Sequence, residues 1–129
     1  MSKGGKGRIF RANIEIPRGQ DASNRSDIEL LFPGLPEQID LEIDEDSQTL
    51  FWTDRGGPPT GTEGEKNPKY EILTRRLHEA IGLKLYQVNK HIYLTDLGGA
   101  VYRIGMDGKN KKKIYDEEAA FSGSGLAHV

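Results

Sequence analysis

Ile39, Leu41 and Ile43 alternate with Asp40, Glu42 and Asp44. A period of two predicts a strand with one apolar face and one solvated acidic face. "TLFWT" (49–53) and "HIYLT" (91–95) carry apolar residues on both faces and predict strands covered on both sides. Asp107-Gly108, between "VYRIGM" and "KKKIY", is a hairpin turn signal. One window, Tyr70 to Gly82, has helical spacing in Tyr70, Leu73, Leu77 and Ala80. Its counterpart one repeat earlier carries Pro33 and Pro36, which a helix interior does not tolerate, so strand, turn, strand is expected there.

That counterpart belongs to a repeat. Phe51, Trp52, Thr53 and Asp54 match Tyr93, Leu94, Thr95 and Asp96 at an offset of 42. The offset holds upstream, where Leu35, Glu37, Ile39, Leu41 and Ile43 match Leu77, Glu79, Ile81, Leu83 and Leu85. "GRIFR" (7–11) matches "GAVYR" (99–103), two periods plus eight residues away, and the polar stretch "PRGQDASNRSD" takes up the extra eight as a loop. Four short strands in a period of about 40–45 residues are the dimensions of a propeller blade, a twisted sheet that buries both faces between neighbours. The expected fold is therefore all-β: a partial β-propeller of about two and a half to three four-stranded blades. Residues 1–6 are expected to be a flexible tail, and 7–129 the propeller segment, with blade parts 7–34, 35–76 and 77–129.

Composition narrows the function classes. The 129 residues are 35% hydrophobic and 29% charged, enough for one modest domain. A net charge of −2 gives no electrostatic case for nucleic acid or a membrane surface as partner. With no cysteine, disulfides and thiolate metal sites are excluded. No apolar run is long enough to span a bilayer and the N-terminus lacks an apolar signal segment, so a cytoplasmic location is expected. No dinucleotide, phosphate-loop or serine-elbow motif occurs.

The phrases "GRIFRANIEIP", "LPEQIDLEID", "LFWTDRGGPP", "LHEAIGLKL" and "YLTDLGGAVYRIGMDGKNKK" carry a resemblance. "FWTD" and "YLTD" are similar to the YWTD repeats of the low-density-lipoprotein-receptor class B type. The chain more closely resembles fungal, intracellular YWTD-like six-bladed propellers of the TolB-like architecture, and within them the C-terminal half. Family blades continue after the Pro-Pro turn with a third strand, whereas Pro58 to Asn67 has no strand character, so the middle blade is expected to lack one. Tyr86 stands where Asp44 stands in the earlier copy and where the family favours Asp. A half propeller leaves blade faces uncovered, which implies a homodimer that completes the ring, or missing blades supplied by a longer protein.

Asp54 and Asp96 recur on different blades, so anchoring turns suits them better than catalysis. Trp52 is expected in the core. The acidic stretch from Asp40 to Asp46 lacks EF-hand spacing and reads as a solvated face and turn. The lysines at 109 and 111–113 read as protection of an edge strand. Glu37 and Glu79 precede the innermost strands, and His78 adjoins one of them. In a six-bladed propeller such loops open on the channel rim, so Glu37, Gln38, Arg55, His78 and Glu79 form a candidate ligand-binding rim for a protein or a small polar ligand. Lactonase-type propellers place an axial metal there, which makes Glu37 and Glu79 candidate ligands for calcium or another divalent cation. The expected function is non-enzymatic binding by a propeller fragment. The alternatives are a metal-dependent, gluconolactonase-like hydrolase and a truncated remnant without activity.

Overall fold

A computed structural model describes residues 6–54 and 70–116. These residues are all-β, with no helix among them. β1 (Gly7–Arg11) pairs antiparallel with β2 (Glu29–Leu35), and β3 (Gln38–Asp44) with β4 (Thr49–Asp54). β5 (Ala80–Tyr86), β6 (His91–Asp96), β7 (Ala100–Gly105) and β8 (Lys112–Asp116) form an antiparallel meander in chain order. Residues 1–5, 55–69 and those after 116 lie outside the described residues, and with them nearly all of the tail expected at 1–6 and the expected loss of a strand between Pro58 and Asn67.

The β3–β4 and β5–β6 hairpins are built alike. Gln38 faces Asp54 and Leu41 faces Trp52, with a register shift between the two pairs. Ala80 faces Asp96 and Leu83 faces Leu94, with a register shift at the same place. Both connecting turns end on a residue in the left-handed region, Gln48 (φ 53°) and Lys90 (φ 53°). In the first turn Asp44 holds the bend by accepting bonds from Asp46 N–H (3.2 Å) and the Ser47 hydroxyl (2.5 Å). The second turn has Tyr86 at the matching position and a backbone bond from Lys90 N–H to the Gln87 carbonyl (3.3 Å).

The core sits on one face of the four-stranded sheet. Leu83, Leu85, Ile92, Leu94, Ala100, Tyr102 and Ile104 are buried together, and Phe51, Leu73, Leu77 and Met106 pack against them. The β4 side chain of Phe51 and the segment around Leu73 to Leu77 thus form the cover that a lone sheet lacks. β8 is exposed along its length, as expected of a lysine-bearing edge. Lys111 and Lys113 lie over the Tyr102 ring at 5.3 and 5.7 Å.

Three expectations are corrected. The first half of the Tyr70–Gly82 window forms no strand: apart from one bridge at Glu71, residues 70–79 are irregular, and β5 begins at Ala80. The acidic face of β3 is not the solvated one. Ile39, Leu41 and Ile43 are 43–50% exposed, while Asp44 is buried and Asp40 and Glu42 are half-buried. The reason is that β5 lies on the carboxylate side, where Asp40 accepts a bond from Leu83 N–H and Glu42 meets the Lys84 ammonium at 3.1 Å. Trp52 is half-buried and not enclosed, because β4 has an open cleft along it.

The polar loop between β1 and β2 is held by its own side chains. Asp21 accepts bonds from Ser23 N–H and the Ser23 hydroxyl, and Gln20 exchanges bonds with Ser26. Arg25 grips Asp27 through two nitrogens at 2.7 Å each and also donates to the Asn13 carbonyl. The Arg25 guanidinium holds the Asp27 carboxyl far below the usual carboxylate range.

Candidate functional site

The repeated Asp residues close the strand ends, and they do so through different amides. Asp54 Oδ1 accepts from Glu37 N–H at 2.8 Å. Asp96 Oδ2 accepts from His78 N–H at 3.1 Å, and its Oδ1 from Ala100 N–H at 3.1 Å. His78 matches Pro36 in the repeat, and proline has no N–H to offer, so Asp54 takes the next amide along. Asp96 is 1% exposed, and these bonds are what make a buried carboxylate tolerable there. Thr95 Oγ1 accepts from Gly82 N–H (3.1 Å), and Thr53 Oγ1 accepts from Asp40 N–H (3.2 Å). Within the motif, Tyr93 is half-buried and Leu94 is core.

The loop residues expected on a rim are committed to local structure in part. Gln38 Nε2 donates to the Arg8 carbonyl at 2.8 Å and ties β3 to β1. Glu37, His78 and Glu79 have exposed side chains. The His78 carbonyl accepts from Leu97 N–H at 2.9 Å. Glu79 takes a left-handed backbone conformation (φ 56°) as it enters β5. Arg55 lies outside the described residues. Among the described residues, no three His, Asp or Glu side chains come together in a way that would hold a metal ion.

The structure brings together a different set of residues. A cleft of about 860 Å³ opens between the two-stranded sheets and the core face of the meander. One wall is aromatic: Phe32, Trp52 and Tyr70 meet with ring centroids 5.1, 5.7 and 6.4 Å apart. Two of these contacts are edge-on at 71° and 72°, the geometry that aromatic quadrupoles favour. Leu73 and Met106, which pack against the core of the meander, add aliphatic lining to the cleft. Pro36, Asp54 and Glu79 also line the cleft, so the loops closed by the repeated Asp residues border it. Of the cleft residues, sequence reasoning singled out Glu79 as a rim candidate and placed Trp52 in the core; it did not reach Phe32, Tyr70 or Met106 as site residues. The three rings come from three separate segments, and no local spacing marks them as one wall.

No family model matches the chain, and no solved structure matches it. It is 42% identical to a protein of Cochliobolus heterostrophus named 3-hydroxyacyl-CoA dehydrogenase-like protein LAM1, over 98% of this chain and 30% of that one. It is also 42% identical to a protein of Pyricularia oryzae named low-density lipoprotein receptor-related protein 1, over 97% of this chain and 44% of that one. The aligned stretches run to 143 and 139 positions, which exceed the 129 residues here by 14 and 10. Both relatives therefore carry residues within the matched region that this chain lacks. The chain spans less than half the length of the curated relatives it matches, and it is similar over nearly all of its own length to two fungal proteins, one named for the low-density-lipoprotein receptor.

Proposed function

We propose that this chain is a segment of a YWTD-type β-propeller that binds a ligand or a protein and carries out no chemistry of its own. Its all-β sheets and the receptor-related name of one relative support the reading. The matching register of the β3–β4 and β5–β6 hairpins supports a blade repeat of 42 residues. We take the extra positions in both relatives to include the third strand that family blades carry after the Pro-Pro turn. The antiparallel sheets of the described residues favour this reading over the dehydrogenase in the other relative's name, since dinucleotide sites of the doubly wound type are built on parallel strands.

The cleft is the observation that carries the binding reading. A cavity of about 860 Å³ with a three-ring wall is within the size range of small-molecule sites. Its aromatic and aliphatic walls favour an apolar ligand, or apolar side chains of a protein, over the small polar ligand that a carboxylate rim would take. The same walls favour binding over a metal-assisted hydrolase, which needs polar ligands converging on one point.

Trp52 is the only tryptophan and stands in the wall, so its fluorescence reports directly on the cleft. Titration with anilinonaphthalene sulfonate is expected to change Trp52 emission saturably with one-to-one stoichiometry. Met106→Lys, in a chain shown by thermal unfolding to be folded, is expected to weaken that binding about tenfold or more. A linear, unsaturable response, or the same affinity in the Met106→Lys chain, overturns the proposal.

A further inference from the structure

β4 and β6 match position for position at the offset of 42, yet their outer edges differ. β6 bonds to β5 on one side and to β7 on the other, with Ile92 opposite Ile104 and Leu94 opposite Tyr102. Among the described residues, β4 pairs with β3 and with no second strand. The cleft lies along it instead, and every residue from Gln48 to Asp54 lines that cleft. Side chains of a strand point alternately to opposite faces, so a cleft that touches each residue in turn follows the backbone edge and not one face.

We infer that this edge of β4 takes an extended peptide segment of a partner protein as an added strand, with apolar side chains at alternate positions. The inference rests on the binding cleft proposed above and names its ligand. The pairing of β6 with β7 supplies the pattern. Tyr102 and Ile104 of β7 are 9% and 1% exposed, and they stand opposite Leu94 and Ile92, whose matches in β4 are Trp52 and Leu50. A strand in that register on β4 sets one apolar side chain beside Trp52, at the wall that Trp52 forms with Phe32 and Tyr70, and a second beside Leu50. Main-chain hydrogen bonds to β4 then give affinity, and the two side chains give selectivity. The chain's own sequence fits this place poorly. Residues 55–69, next after β4, include no hydrophobic side chain and three prolines, which cannot donate to a ladder. β8, the outer strand of the meander, reads KKIYD, so no two of its positions of one face are both apolar. A second copy pairing through β8 puts an ammonium or a carboxylate at the aromatic wall or beside Leu50, which favours a different protein as the donor.

The probe is a synthetic peptide of the β7 sequence, Ala-Val-Tyr-Arg-Ile-Gly, capped at both ends and free of tryptophan. Titrated into the whole chain, it is expected to change Trp52 emission saturably with one-to-one stoichiometry. Lysine in place of the peptide's tyrosine and isoleucine is expected to weaken binding about tenfold or more. Two further peptides are N-methylated on alternate sets of amides. An added strand turns one set toward β4 and the other away, so one peptide is expected to lose about tenfold or more in affinity and the other to keep it. Equal affinities of the two methylated peptides, indifference to the lysine replacements, or no binding of the parent peptide to the folded chain overturns the inference. Anilinonaphthalene sulfonate is titrated into the same samples. A chain that binds this dye but not the peptide sinks the added strand and leaves the apolar cleft standing, whereas a chain that binds neither removes the cleft as well.

Discussion

Asp40 on β3 accepts a hydrogen bond at 2.9 Å from the backbone N–H of Leu83 on β5, across the junction of two separate sheets. Its other oxygen accepts from Leu41 N–H at 2.8 Å. Next to it, the Thr53 hydroxyl donates to the Ile81 carbonyl and accepts from Asp40 N–H. Backbone groups at a sheet edge normally find a strand or water; here side chains of one sheet satisfy the backbone of the next. The two sheets are thereby fixed in register as well as pressed together.

Asp40→Ala is expected to destabilise the chain by about 1–3 kcal/mol, because Leu83 N–H loses its acceptor at a partly buried site. Asp40→Asn keeps one oxygen and is expected to cost less. Thr53→Val, similar in volume but without the hydroxyl, is expected to cost about 1–2 kcal/mol. Urea midpoints for the two single variants and the double variant form a cycle. A coupling of about 0.5 kcal/mol or more is expected for neighbours in one junction. Strict additivity would show that Asp40 and Thr53 hold β5 independently.

Asp96 and Asp54 hold matching positions but unequal surroundings. Asp96 is fully buried and accepts from His78 N–H and Ala100 N–H, whereas Asp54, which accepts from Glu37 N–H, is half-buried, so the difference in burial sets the expected order. Asp96→Ala is therefore expected to cost about 3 kcal/mol or more, and Asp54→Ala about 1 kcal/mol. The proline argument adds a second comparison. His78→Pro removes the amide that Asp96 binds and is expected to destabilise by about 1–3 kcal/mol, while Pro36→Ala, where no amide is used, is expected to change stability by less than about 1 kcal/mol. Thermal unfolding of the four variants checks both orders.

The strands and their pairing were legible because they depend on short-range pattern. The period-two run at 39–44 marks β3, the double-sided apolar runs mark β4 and β6, and Asp107-Gly108 marks the β7–β8 turn, where Gly108 takes φ 82°. The orientation of β3 was not legible. An Asp/Ile alternation says that the two faces differ but not which one meets a neighbour, and Leu83 N–H and Lys84, which decide it, lie 43 and 42 residues from their partners. The cleft was hidden for the same reason: Phe32, Trp52 and Tyr70 converge only after three segments fold. In the window at 70–79, the pattern shared with β2 was real, yet strand formation also needs an adjacent strand to bond with, which a single segment's sequence does not reveal.

Acid is expected to loosen the β1–β2 loop and the β3–β4 turn. The Asp27 carboxyl is held far below its ordinary value by Arg25, and the Asp44 carboxyl is lowered by the Ser47 hydroxyl that donates to it. A carboxylate with a lowered folded value contributes stability that is complete above the unfolded value of about 4 and is lost as pH falls through the folded value. Asp27→Asn should thus melt below the parent at neutral pH, and the gap should narrow as pH drops below about 4. Melting curves along a pH series decide this, and a gap that widens in acid would contradict the assignment.

Gly7 offers the most local test of how β1 is fixed. A Cβ at this position would collide with Gln38 Oε1 and stand 2.7 Å from the Leu35 carbonyl oxygen. The Gln38 amide can swing away, but only by breaking its bond to the Arg8 carbonyl; the Leu35 carbonyl belongs to β2 and moves only with the strand. Gly7→Ala is therefore expected to loosen both the β1–β2 pairing and the tie to β3. Gln38→Ala removes the tie alone, at a cost of about 1 kcal/mol. If close approach to Gln38 were the whole difficulty, the double variant Gly7→Ala with Gln38→Ala would be as stable as Gln38→Ala. Because the Leu35 carbonyl remains in the way, the double variant is expected to be less stable than Gln38→Ala by about 1 kcal/mol or more. Amide hydrogen exchange in Gly7–Arg11 locates the effect: faster exchange there, with β5–β7 unchanged, places the damage in the first sheet.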